Sequence, residues 1–316
     1  MKFSITIPAY KATFFRECIE SVLNQSYKDY EVIILNDYSP ENIKDIVEEC
    51  KKLKNGDKIR YYENDKNVGA IDIVDNWNKL LELANGEYII CMGDDDLLTP
   101  NCLDEYNNLI SDYPGLSIYH ARTKIIDEKS KFLNIQEERP VYESVYSMIW
   151  HRTFCNRIQF IGDYLFDIKS LRKDGGFYKL PLAWESDCIT SYIAASHNGI
   201  ANTSKITFLY RGSRYSITNS SNWQYKIIGT TGYRDWLRIF LEKTPIDELD
   251  TKYHQLLSSK ADSLIKKHIK IMFANYFKES PINAYRYWKQ NKRNNSLTIK
   301  DFVFSIIMAF SLRLNK

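Results

Sequence analysis

The sequence predicts an α/β protein: a mainly parallel, Rossmann-type sheet flanked by helices, with a helical extension at the C-terminal end. Two observations carry this. Short apolar runs alternate with stretches of helical spacing through the first hundred residues. The runs also keep ending on polar residues: Asp37 after the second, Asn64 and Asn67 after the third, Asp94 to Asp96 after the fourth. In a parallel sheet such ends emerge on one edge and line one crevice.

The elements follow in order. Residues 3–7 read as a first strand ended by Pro8-Ala9-Tyr10, and residues 13–25 place Phe14, Phe15, Cys18, Ile19, Val22 and Leu23 at helical spacing. Residues 31–35 are a second strand, about 40–54 a helix, and 58–62 a third strand before the turn-rich 63–69. A helix over 70–84 leads to a strand at 87–92 and to the acidic triplet, and a further helix starts after Pro100. Residues 116–121 form another strand and 124–133 a hairpin-like segment. A strand at 206–210 precedes a basic loop, and the composition is helical from about Gln224 onward.

Composition narrows the function. The chain has 316 residues, 44% hydrophobic and 26% charged, enough for a sizeable core. A net charge of +3 makes no electrostatic case for nucleic acid. The six Cys show no paired or zinc-ligand spacing, which fits a reducing, cytoplasmic compartment. The chain enters its first strand at once, leaving no room for a signal peptide, and no run of about 18 apolar residues is present.

Three adjacent carboxylates repel, so the Asp94–Asp96 cluster costs energy unless a cation or a set of donors absorbs its charge. The competing use of such a triplet is a solvated acidic turn that caps the next helix. Neither a GxGxxG after the first strand nor a GxxxxGK[ST] is present, so phosphates here need a cation rather than a glycine cradle. Hard oxygen ligands suit Mg²⁺ or Mn²⁺.

These pieces together resemble the nucleotide-binding half of family-2 glycosyltransferases with the GT-A fold. The matching stretches are Ile7-Pro8-Ala9-Tyr10, Ser21 to Tyr27, Glu31 to Asp37, Asn67-Val68-Gly69 and Gly93-Asp94-Asp95-Asp96. The resemblance implies that Pro8, Ala9, Tyr10 and Asp37 hold the nucleoside, with Asn67 or Asp65 close to the base. It implies metal contact by Asp95, with Asp96 nearby. The family pattern here is Asp-x-Asp-Asp; registered on Pro100, it places Gly93 at the first Asp and Asp94 at the variable position, and the resemblance then implies that Asp94 takes over the ribose contact.

Gly175-Gly176-Phe177 ahead of Trp184-Glu185-Ser186-Asp187 resembles the acceptor half of the same family, where an acid at this place is the catalytic base. Asp187 is preferred to Glu185 because an Asp follows Ser in similar sequences; both also suit a helix N-terminus. Arg211 and Arg214 lie in a stretch, Tyr210 to Thr218, that resembles a segment closing over the donor pyrophosphate in some relatives, and guanidinium suits phosphate oxygens. The alternative is a solvated basic loop.

The resulting expectation is a glycosyltransferase domain over 1–222, with a nucleotide-binding half to about 123 and an acceptor half over 124–222, then a helical region over 223–316. The implied activity is inverting transfer from a nucleoside-diphosphate sugar, commonly a UDP-sugar, to a glycan or polyprenyl-diphosphate-linked acceptor, assisted by Mn²⁺ or Mg²⁺. Rival readings are a nucleotidyltransferase and a non-catalytic sugar-nucleotide-binding partner. The apolar tail 302–312 is too short to span a bilayer, and it suits a membrane interface at the inner face, docking on the body, or a homodimer contact.

Overall fold

Strand β1 (Phe3–Ala9) is buried along its whole length and is apolar except at Ser4 and Thr6. After it come α1 (Phe15–Leu23), β2 (Tyr30–Asn36), α2 (Ile43–Cys50), β3 (Ile59–Glu63), α3 (Gly69–Leu83) and β4 (Tyr88–Cys91). β1 lies between β2 and β4, parallel to both, with Ile5 opposite Val32 on one side and Ile90 on the other. β3 adds to β2, also parallel. Parallel neighbours need crossovers, and the intervening helices supply them, burying Phe15, Cys18, Ile19 and Val22 from α1 and Ile43 and Val47 from α2. The computed structural model describes residues 1–212, 223–292 and 298–314.

The chain continues through β5 (Leu97–Leu98), α4 (Cys102–Asp112), β6 (Ile118–Ile126), β7 (Phe132–Ile135), β8 (Tyr142–Glu143), α5 (Val145–Cys155), β9 (Tyr164–Asp167), α6 (Ile168–Lys173), α7 (Ser186–Asn198) and β10 (Ile200–Arg211). The sheet order is β3-β2-β1-β4-β9-β6-β10-β5, with β7 on β6 and β8 on β10. β9 is antiparallel to both β4 and β6, so β6 and β10 run the same way as β1. The ends of β1, β2, β3, β4, β6 and β10 therefore share one edge. β9 escapes sequence detection because four residues, Tyr-Leu-Phe-Asp, are too few to show a period.

Two compact units result. One comprises Met1–Lys179 and Asp187–Ser216; the other, Leu180–Ser186 and Ile217–Lys316. The second contains α8 (Trp223–Phe240), α9 (Glu248–Glu279), α10 (Pro281–Asn291) and α11 (Ile299–Leu314). Residues 180–186 join it through Trp184, whose Nε1 donates to Thr230 Oγ1 at 3.0 Å. The side-chain-free Gly229 makes that approach feasible: a Cβ there would sit 2.6 Å from the Trp184 carbonyl oxygen. Phe302 of α11 stacks on Trp288 of α10 at 4.3 Å, while Ile299, Val303, Phe304, Ile307 and Phe310 are exposed. Among the described residues no helix is long and apolar enough to cross a membrane.

One buried polar centre ties four strands of the first unit together. Glu31 on β2 is 2% exposed and accepts from Ser4 Oγ of β1 (2.7 Å), Arg60 Nη1 of β3 (2.6 Å) and the Asn85 backbone before β4 (2.7 Å). Removing the carboxylate strands three donors. Glu31→Ala is expected to cost about 2–4 kcal/mol, measured as a lower urea midpoint at unchanged slope.

Candidate active site

The acidic turn is built from donors as much as from carboxylates. Asp94 Oδ2 accepts from the backbone N–H groups of Tyr10 and Lys11, each at 2.8 Å, which fastens the turn after β4 to the end of β1. Asp96 Oδ1 accepts from the Arg211 backbone at 2.9 Å, fastening it to the end of β10. Asp94 and Asp96 are buried, and Asp95 between them stays partly open. The loop beyond is held by α1 and the residues after it: Ser21 Oγ accepts from Leu98 N, and Gln25 bonds Thr99 O at 2.8 Å and Leu103 N at 3.2 Å.

Arg211 lies elsewhere than its sequence context implies. Its side chain is fully buried and donates to Asp95 O (2.9 Å), Asp127 O (3.3 Å), Ser130 Oγ (3.0 Å) and Glu17 Oε2 (2.9 Å). The guanidinium also sits 4.3 Å over the Phe14 ring. One cation thus joins the acidic turn, α1 and the β6–β7 connection. Arg214 falls outside the described residues.

The nucleoside candidates divide into supports and exposed rings. Pro8 and Ala9 are buried in β1. Asp37 is buried, its carboxylate accepting from Asn64 Nδ2 (2.8 Å), Val68 N (2.9 Å) and Gly69 N (2.6 Å), so it clamps the start of α3. Gly69 is needed there, because a Cβ would stand 2.7 Å from Asp37 Oδ2. Asn67 donates to Asp37 O at 3.2 Å and accepts from Ala70 N at 3.1 Å; Asp65 is exposed. Tyr10 is 41% exposed, and so is Tyr38, at 59%, which stands in the left-handed region at φ 54°. Ser39 Oγ donates to Tyr10 O at 2.5 Å, linking the two loops that carry these rings. Tyr38 gives no motif signal; exposure of a large ring beside a strand end identifies it.

Asp187 stands in the first turn of α7, half-buried, in the same unit as the acidic turn. α7 is followed, after Gly199 alone, by β10. Glu185 groups with the other unit. It closes a segment in which Leu182, Ala183 and Glu185 all hold positive φ (58°, 54° and 69°), a costly backbone for residues with a Cβ.

Electrostatically the acidic turn is short of positive charge. Burial pushes Asp94, Asp95 and Asp96 up from the ordinary carboxylate range, strongly for Asp96 and to about 6 for Asp95. Neighbouring carboxylates add to the rise on Asp95 and Asp96, while Lys11 and Arg211 oppose it on Asp95. Among the described residues no three His, Cys, Asp or Glu side chains converge as a self-contained metal cage. The donor set fits a sparser mode, in which one or two carboxylates hold a hard divalent ion whose other positions go to water and substrate phosphate. A Cβ on Gly93 would meet Asp96 Oδ2 at 2.9 Å and Asp95 Oδ1 at 3.1 Å, so oxygens of both carboxylates face one notch that glycine leaves open.

Because Asp95 keeps its proton to about pH 6 in the fold, the native protein binds more protons than the unfolded chain between roughly pH 4 and that value. Stability is therefore lost as pH rises through this window, and the loss is complete above it. Asp95→Asn removes the part that Asp95 contributes, while Asp94 and Asp96 keep theirs. In EDTA, its Tm advantage over the wild type should be small near the acid end, grow through the window and then level off; an advantage independent of pH would contradict the assignment.

The profile of glycosyl transferase family 2 matches residues 4–168, more than half of the chain. A glycosyltransferase of Rickettsia bellii (strain RML369-C), described as uncharacterized, is 34% identical over 139 residues, 42% of this chain and 18% of the relative. For the first curated relatives the matching stretch covers 18% to 39% of their length. Among solved structures, S. aureus TarS 1–349 in complex with UDP-GlcNAc gives a TM-score of 0.66 at 13% identity, over 100% of this chain and 93% of that one. Mannosyltransferase PcManGT from Pyrobaculum calidifontis, in complex with GDP-Man and Mn²⁺, gives 0.57 at 13% identity, over 99% and 80%. At that identity the structural likeness concerns the GT-A-like fold. The chain belongs to glycosyl transferase family 2.

Proposed function

We propose that this chain transfers a sugar, with inversion, from a nucleoside-diphosphate sugar to a hydroxyl of a glycan or polyprenyl-diphosphate-linked acceptor. The observation that carries the reading is the acidic turn strapped by Asp94 to the Tyr10–Lys11 backbone, leaving Asp95 partly open at the sheet edge. UDP is the favoured nucleotide because the TarS complexes contain UDP and UDP-GlcNAc.

In this reading Tyr10 and Tyr38 offer rings to the base, and Asp37 and Asn67 hold the loop that borders it. Asp95, with Asp96 beside it, would hold Mn²⁺ or Mg²⁺. The ion, when bound, supplies positive charge at the leaving diphosphate. Arg211 fixes the turn from beneath, and Arg214 is left to neutralise diphosphate charge. Asp187 accepts the proton of the acceptor hydroxyl as that oxygen bonds to the anomeric carbon and the bond to the diphosphate breaks on the opposite face. The place of action is the cytoplasm at the inner face of the membrane, with the tail 302–312 in contact with it.

Two measurements test this. In a thermal-shift panel of nucleoside diphosphates, UDP with Mn²⁺ should raise the Tm of the wild type by mass action. A wild type that no nucleotide shifts overturns the proposal. Asp187→Asn should lower transfer by about 10²–10⁴-fold while keeping the UDP shift, and Glu185→Gln should remain active. The opposite pattern moves the base to Glu185.

A further inference from the structure

The helical region differs in charge from the rest of the chain. Residues 223–316 hold 17 Lys and Arg against 8 Asp and Glu, a net +9, whereas residues 1–222 hold 26 against 32, a net −6. The excess is visible on α10 and α11. α10 has no acid, and Arg286, Lys289, Lys292 and Lys300 are exposed. The single acid of α11, Asp301, is taken by Lys266 (3.0 Å) and Lys270 (2.9 Å).

Beside these cations the two helices expose apolar side chains: Ile282 (67%) and Tyr285 (47%) on α10, Ile299 (68%), Val303 (48%) and Phe304 (52%) on α11. Tyr285 lies 6.1 Å from Phe302, so the helices are neighbours. On α11, Ile299 and Val303 are four residues apart and share one face. A second copy of this face would bring like charge against like, and a nucleic acid would leave the apolar stripe without a partner. A bilayer surface with anionic headgroups meets both requirements, as it does for amphipathic helices that combine Lys and Arg with Phe and Ile.

We infer that α10 and α11 form a docking face for an anionic lipid surface, the apolar side chains entering the headgroup boundary and Arg286, Lys289, Lys292 and Lys300 lying over the lipid charge. This deepens the membrane part of the proposed function and rests on it, but involves no donor chemistry.

The test is co-sedimentation with phosphatidylcholine vesicles, with and without phosphatidylglycerol. The wild type should bind the mixed vesicles, leave the neutral ones largely unbound, and be released by salt. Arg286→Glu/Lys289→Glu should bind at least about tenfold more weakly, since each cation near an anionic surface contributes substantially. Val303→Asp/Phe304→Asp should bind as weakly, both positions being exposed enough to spare the fold. An unchanged Tm without ligand and an unchanged far-ultraviolet circular dichroism spectrum in both variants separate lost docking from lost folding. The inference is overturned if neutral and anionic vesicles bind alike, if neither does, or if both variants bind as the wild type. It is also overturned if light scattering finds a wild-type dimer that Val303→Asp/Phe304→Asp makes monomeric, since the occupant is then a second copy.

Discussion

The hydrogen bonds from Tyr10 N and Lys11 N to Asp94 Oδ2 are the contact on which the site depends. They join the ends of two adjacent parallel strands by a charge-assisted pair, stronger than neutral bonds of the same length. They also settle the direction of the turn. With Asp94 directed at β1 and Asp96 directed at the β10 backbone, Asp95 is the carboxylate left to face outward. Without that clasp, three neighbouring like charges would favour an open turn.

Charge balance explains the buried arginine. Three carboxylates at one strand end are tolerated because backbone dipoles and one guanidinium surround them. Arg211 also neutralises Glu17 and fills its remaining donors with a carbonyl and a hydroxyl from the β6–β7 connection. It restrains three loops and leaves the turn still deficient in positive charge, the condition under which a divalent ion gains most. Asp37 follows the same logic: its oxygens are consumed in building the entrance to α3, so the exposed groups there are the tyrosines.

The parallel half of the fold is legible in the sequence because fully buried strands such as β1 and β2 require mainly apolar runs and their crossovers require amphipathic helices. The acidic turn is legible too, since adjacent carboxylates have few uses at a strand end. What a linear reading misses depends on distant partners. The orientation of Arg211 is set by partners 81 to 194 residues away, Ser130, Asp127, Asp95 and Glu17. The grouping of residues 180–186 with the helices is decided by Trp184 meeting Thr230. β5, two residues long, exists because β10 pairs with it.

The measurement that bears most directly on the central claim is a Mn²⁺ titration followed by electron paramagnetic resonance in the presence of UDP. The wild type should remove the free-ion signal near stoichiometry, and Asp95→Asn should leave it close to that of buffer. Equal uptake by the two proteins would contradict the assignment of Asp95 as the outward-facing ligand.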